Sequence, residues 1–239
     1  MCTVILLHRP GHPWPVMLAA NRDERLDRAW AAPAAHWPGH PGITGGRDLT
    51  AGGSWMAINR HGVVASVLNR AGSLGPAPGK RSRGELPLLA LAGRTAHEAA
   101  AIVAGLDAAE WRPFNMVLAD AWGGVFLAGL GEGHAEPAPL PPGLSMVTAH
   151  PPNDMHSPRI RRHLPLWRAA RAPDSPEDWA EWLERLADSL GGRAEQLLLP
   201  PEGGFGTVCS SILALGAWQE WHFSAVWPRR TGFGAVALG

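Results

Sequence analysis

At 239 residues the chain is long enough for one substantial core, and a single domain over 1–239 is the expectation. Its 21 basic and 21 acidic side chains cancel, which argues against nucleic acid or an anionic membrane as partner. No apolar run approaches the roughly 18 residues of a membrane helix, the two cysteines make no disulfide framework, and the N-terminus lacks a signal-peptide pattern, so a cytoplasmic protein without membrane insertion is expected.

The chain opens on the apolar, β-branched run Cys2-Thr3-Val4-Ile5-Leu6-Leu7-His8. Arg9-Pro10-Gly11-His12-Pro13-Trp14-Pro15 breaks it, and Val16-Met17-Leu18-Ala19-Ala20 follows. Two apolar runs around such a break read as a hairpin. Pairing symmetric about His12 sets position 2 opposite position 22, placing Cys2 beside Arg22 and its neighbours Asn21, Asp23 and Glu24. A guanidinium favours the thiolate, the nucleophilic form. Removal of Met1 would give Cys2 a free α-amine with a reference pKa of about 7.7–8.0, suited to a base at neutral pH. Nucleophile and base would then belong to one residue.

Arg25 to Pro41, rich in Ala, Pro and Trp, reads as an irregular excursion, with His36 and His40 on a solvated loop. Ser54–Asn59 and Val63–Asn69 read as a second hairpin around Arg60-His61-Gly62, with glycine at the left-handed place. Gly45-Gly46 and Gly52-Gly53 precede no convincing helix, so close backbone approach near a cleft explains them better than a phosphate cradle. Ser82 to Leu106 is helical, interrupted at Gly93 and restarted by the capping pattern Thr95-Ala96-His97-Glu98.

Phe114–Asp120 and Val125–Leu130 form a third hairpin; Gly131 to Gly143 reads as loop, and Leu144–Thr148 as a strand. Ser157-Pro158 starts a helix whose Arg159, Arg161, Arg162, Arg168 and Arg171 form a solvated basic face. Ser175-Pro176-Glu177-Asp178 starts another, with Trp179, Trp182, Leu183, Leu186 and Leu190 as its apolar stripe. Gly206–Leu215 and Gln219–Val226 are strands, and Phe233–Leu238 adds an edge. Hairpins with helices in separate blocks give an α+β class, antiparallel sheets covered by helices. Twelve tryptophans against no tyrosine suggest that several line a cleft or a half-buried seam. No Cys/His cluster has zinc-site spacing, so no metal is expected.

Met-Cys-Thr at the start, Asn21-Arg22-Asp23-Glu24, Gly45-Gly46-Arg47-Asp48, Ala51-Gly52-Gly53-Ser54-Trp55 and Ser82-Arg83-Gly84-Glu85-Leu86 together resemble the NRDE family, also called transport and Golgi organisation protein 2. That family in turn resembles the N-terminal-nucleophile hydrolases, especially the cysteine group with choloylglycine hydrolase and penicillin V acylase. The resemblance implies a four-layer αββα sandwich. It also implies hydrolysis of a non-peptide amide or related acyl bond of a small-molecule acyl compound. Cys2 would attack, Arg22 would orient the site, Asp23 or Glu24 would hold Arg22, and Asn69, at the end of the second hairpin, would stabilise the oxyanion. Asn21, Trp55, Arg47 and His150 complete the expected site. The chain departs from the hydrolase pattern at Thr148-Ala149-His150, where an asparagine donor is replaced by alanine unless His150 substitutes for it. It also departs from the NRDE pattern at Gly206-Thr207-Val208-Cys209-Ser210, which lacks an arginine. Family members have been linked to haem trafficking, so the alternative is a non-catalytic carrier of haem or another hydrophobic small molecule in the same cleft, ligated by Cys2 or a histidine. Under the first reading no cofactor is required; the sequence does not specify an oligomeric state.

Overall fold

The computed structural model describes residues 2–175 and 177–239. In chain order its elements are β1 (Thr3–His8), β2 (Val16–Arg25), β3 (Trp30–Ala34), β4 (Ile43–Asp48), β5 (Ser54–Asn59), β6 (Val64–Asn69), α1 (Glu85–Ala90), α2 (Ala96–Ala104), β7 (Phe114–Asp120), β8 (Gly123–Gly129), β9 (Glu136–Leu140), β10 (Gly143–Val147), α3 (Pro158–Ala169), α4 (Ala180–Leu186), β11 (Phe205–Leu215), β12 (Gln219–Ala225) and β13 (Gly234–Ala235). They form two antiparallel sheets, one ordered β10-β1-β2-β11-β12-β13 and the other β3-β4-β5-β6-β7-β8-β9.

Three apolar seams make four layers of this arrangement. Between the sheets, alternate side chains of β1 and β2 (Val4, Leu6, Val16, Leu18) meet Met56, Ile58, Val64 and Val117 of the seven-stranded sheet. The other faces of β1 and β2 (Ile5, Leu7, Met17, Ala19) pack on Ile160, Leu164 and Trp167 of α3 and on Trp182 and Leu186 of α4. Ala57, Ala65, Met116 and Leu118 pack on Leu86, Leu88, Ala99 and Val103 of α1 and α2. A strand alternates its faces with period two, so a central strand covered on both sides reads as a continuous apolar run. This is the expected αββα sandwich.

The first hairpin has the expected register: Thr3 pairs with Asn21, Val4 with Ala20 and Leu6 with Leu18. Gly62 takes φ +77° in the β5–β6 turn. Thr95 caps α2 by accepting from the Glu98 amide, while the Glu98 carboxylate accepts from the Arg94 amide, one residue short of a reciprocal capping box.

Several expectations are corrected. Residues 25–41 are not wholly irregular, because Trp30–Ala34 is strand β3, and residues 131–143 are not wholly loop, because Glu136–Leu140 is strand β9. Both contain proline and both are the outermost strands of their sheet, where a missing N–H costs no ladder bond. α4 begins at Ala180 without a side-chain cap; Ser175 bonds Glu177 instead, and Pro176 lies outside the described residues. Leu190 is 68% exposed rather than part of the stripe. The tryptophans divide: Trp111, Trp167, Trp182 and Trp221 are fully buried in the core, while Trp30, Trp37, Trp55 and Trp227 are half-buried, as expected of several. Among the described residues no helix is long and apolar enough to cross a membrane.

His163 of α3 is buried, its Nε2 2.8 Å from the Glu195 carbonyl. Burial holds its pKa below the ordinary value, and this outweighs the pull of Asp188. Below about pH 6.5 the unfolded chain protonates this histidine while the folded chain resists, so stability falls as pH drops. Urea midpoints measured at pH 7 and pH 5 should decline, and His163→Gln should shallow that decline.

Candidate active site

Strand β2 sends consecutive side chains to opposite layers, and this sorts the Asn21-Arg22-Asp23-Glu24 run. Asn21 and Asp23 face the helices. The Asn21 amide donates to the Leu186 and Leu197 carbonyls, both at 2.9 Å, and its oxygen accepts from the Ser210 hydroxyl at 2.6 Å. It fastens β2 to the segments around α4. The Asp23 carboxylate accepts from Arg159 at 3.0 Å and from the Thr207 hydroxyl at 2.7 Å, and Arg159 also donates to the Thr3 hydroxyl at 2.9 Å. Arg159 is 2% exposed. It was expected on a solvated basic face. Ser157 caps α3 and Pro158 starts it, which instead turns this guanidinium inward onto β1 and β2.

Arg22 and Glu24 face the opposite way. Arg22 is buried, with its guanidinium carbon 4.1 Å from the centre of the Trp55 ring. Such stacking fixes a cation without neutralising it. Glu24, 3.6 Å from Arg22, also reaches Arg28 at 3.8 Å. Of the two carboxylates left open by the sequence, Glu24 is the one set beside Arg22 on this face. Trp55 is positioned in turn by a missing side chain. A Cβ on Gly46 would stand 2.1 Å from its ring. A Cβ on Gly53 would stand 2.3 Å from the Gly84 carbonyl group. These two glycines are required for close approach.

The Cys2 thiol lies 3.7 Å from the Asp23 carbonyl, toward which its S–H can donate. The residue opens onto a cleft of about 730 Å³ that is also lined by Arg22, Glu24, Trp55, Val67 and Asn69. Burial raises the thiol pKa above its ordinary value; the Arg22 charge pulls it down but is outweighed. The thiolate expected from the neighbouring guanidinium is therefore not the resting form, and attack needs a base. One Arg22 nitrogen, Nη1, is buried with no hydrogen-bond partner among the described residues. Cys209, which pairs in register with Arg22, lines a small void with Cys2, and burial pushes its thiol up to about 12.

Asn69 ends β6 at the cleft. Arg47 and His150 do not line it. Arg47 donates to the His36 carbonyl at 3.4 Å, and His150 sits against Asp154 at 3.1 Å with its carbonyl held by the Asn115 amide. Ala149 therefore has no substitute donor from His150 in the cleft. Among the described residues no histidine lines the cleft and no cluster of three His, Cys, Asp or Glu side chains could hold a metal ion. A haem there would have Cys2 as its one candidate thiolate ligand among the lining residues.

A family model described as Transport and Golgi organisation 2 matches residues 1–153. The chain belongs to this family. Among solved structures it is similar to an N-acylethanolamine-hydrolyzing acid amidase ortholog from Caenorhabditis elegans, at 14% identity over 89% of this chain and 92% of that one, with a TM-score of 0.56. Penicillin V acylase from Agrobacterium tumefaciens shares 13% identity over 94% and 83%, with a TM-score of 0.59. A mutant conjugated bile acid hydrolase from Clostridium perfringens shares 10% over 99% and 92%, with a TM-score of 0.56. At such identities the likeness is one of fold, that of the N-terminal-nucleophile hydrolases. No curated protein matches the chain.

Residues that sequence reasoning missed are Arg159, Arg28, which bonds Asp48 at 2.6 Å, and Asn115. Only Arg159 had a visible signal, a capped helix start placing it in the first turn against the sheet. Removing the Arg159 guanidinium takes a partner from a buried carboxylate, so Arg159→Leu should cost about 3–5 kcal/mol in urea unfolding, with the Arg159→Leu, Asp23→Asn double variant regaining part of it. Gly46→Ala should cost about 1–3 kcal/mol and shift tryptophan emission as the Trp55 ring is displaced.

Proposed function

We propose that this protein is a cysteine hydrolase of the N-terminal-nucleophile type, cleaving a non-peptide amide or related acyl bond of a small molecule. The observation that carries the reading is the placement of Cys2: its residue opens onto a cleft large enough for a small molecule, next to a guanidinium immobilised on Trp55. The reading requires removal of Met1, which lies outside the described residues.

The freed α-amine of Cys2 takes the thiol proton as Sγ bonds to the substrate carbonyl carbon. The raised thiol pKa makes this coupled transfer necessary. The carbonyl oxygen gains the electron pair and negative charge, toward which the Asn69 amide can donate while the fixed Arg22 cation lies alongside. Collapse breaks the C–N bond, and the protonated α-amine returns its proton to the leaving amine. A thioester remains. Water, deprotonated by the same amine, attacks it and releases the acid and the thiol. Glu24 holds the Arg22 head during both steps, and Asp23 with Arg159 holds the strand from behind.

Mass spectrometry of the mature protein should show loss of Met1, and incubation with an acyl amide should leave a mass adduct on the Cys2 peptide when deacylation is slow. Cys2→Ala should abolish both the adduct and turnover; retained turnover overturns the reading. Glu24→Gln should lower kcat at least about tenfold with little change in urea midpoint, whereas Asp23→Asn should lower the midpoint. The acid limb of kcat/KM should follow the α-amine, whose reference pKa is about 7.7–8.0, with activity lost as the pH falls through it.

A further inference from the structure

The acidic side chains of the cleft are all engaged. Glu24 stands beside Arg22 and Arg28, Asp48 accepts from Arg28 at 2.6 Å, and Asp27 pairs with Arg25 at 2.6 Å. Three further guanidiniums line the same cleft; Arg81 is paired with Glu85 and Glu110, whereas Arg83 and Arg112 have no carboxylate partner among the described residues. Arg83 donates to the carbonyls of Ser73 (2.7 Å), Gly75 (3.1 Å) and Pro113 (3.1 Å) and to the Ser73 hydroxyl (3.1 Å). Arg112 donates to the carbonyls of Leu74 (2.8 Å), Gly75 (3.2 Å), Pro76 (3.1 Å) and Gly72 (3.2 Å).

Carbonyl oxygens orient a guanidinium but carry no net charge to offset it. Both heads are partly buried, and they converge on the loop 72–76. Burial, then the charge of Arg112, lowers Arg83 to about 10, which still leaves it cationic at neutral pH; it also lies close enough to Cys2 and Glu24 to sense both. A chain with no net charge thus concentrates unbalanced positive charge on one wall of this cleft. Leu74, Pro76 and Val67 supply apolar surface beside it.

We infer that the compound taken by this cleft is anionic: an acyl compound whose carboxylate or equivalent group docks on Arg83 and Arg112 while its carbonyl faces Cys2. Guanidinium forks suit planar anions, and a ligand carboxylate would complete an arrangement that the protein leaves one charge type short. This rests on the proposed acyl hydrolysis for the position of the carbonyl, not for the charge preference.

The test measures binding by calorimetry on the full chain carrying Cys2→Ala, so that turnover plays no part. One pair of probes carries the charge on the amine side, N-hexanoylglycine against N-hexanoylglycinamide. The other carries it on the acyl side, adipic acid monobutylamide against N-butylhexanamide. In at least one pair the acid should bind about tenfold or more tightly than its neutral partner, with the difference shrinking at high salt. Because Arg83 and Arg112 also hold the 72–76 loop, the decisive variant is Leu74→Glu, which supplies an internal counter-charge at an exposed lining position without removing either guanidinium. It should erase the preference, while Leu74→Gln should keep it. Equal affinity within both pairs, including no binding of either member, overturns the inference, as does a preference that survives Leu74→Glu. A charge preference in a chain that never turns over amides removes the hydrolase reading alone. Turnover of neutral amides without any preference removes the anion site alone.

Discussion

The period-two alternation of β2 is the constraint on which the site depends. It gives a short polar run two separate duties. Asn21 and Asp23 are turned toward the helical layer, where their polar groups are hydrogen-bonded across more than 130 positions of sequence. Arg22 and Glu24 are turned toward the cleft. A slip of one residue in the β1–β2 register would exchange the two sets, burying a cation under the helices and exposing Asn21. The symmetric first hairpin and the ten-residue pairing of β2 with β11 guard against that slip.

A second dependency runs through absence of mass. Gly46 has no side chain, the Trp55 ring occupies the space, and Arg22 lies on the ring. Trp30 meets the same ring edge-on, with centroids 5.9 Å apart. The guanidinium is thereby fixed by packing, with the Glu24 carboxylate 3.6 Å away, and keeps its charge beside the cleft. Preorganised charge of this kind costs little rearrangement at the moment of reaction.

The hairpins were legible because each is local: turn residues and apolar periodicity specify β1–β2, β5–β6 and β7–β8 without reference to the rest of the chain. Strands β3 and β9 were not. Their sequences, Trp-Ala-Ala-Pro-Ala and Glu-Pro-Ala-Pro-Leu, are poor strand formers that become strands only because a neighbouring edge is there to receive them. For the site, Cys2 and Arg22 could be placed together from turn symmetry alone. The choice between Asp23 and Glu24 could not, since it depends on which layer lies on each face. Arg159 was hidden for the same reason: in a basic helix the one inward-facing arginine is distinguished only by the sheet it meets. Arg47 and His150 are held by loop partners outside the cleft, which spacing in the chain does not reveal.

The bulge between Thr207 and Cys209 brings the second thiol of the chain opposite Arg22, on the same small void that Cys2 reaches. Strand β2 lies between the two cysteines. Two strand spacings amount to about 9.5 Å, beyond the roughly 7 Å that separates bridgeable Cα atoms. A disulfide between them would require the backbone to move, so in the folded chain oxidative capping of Cys2 falls to a sulfur or oxygen brought in from outside.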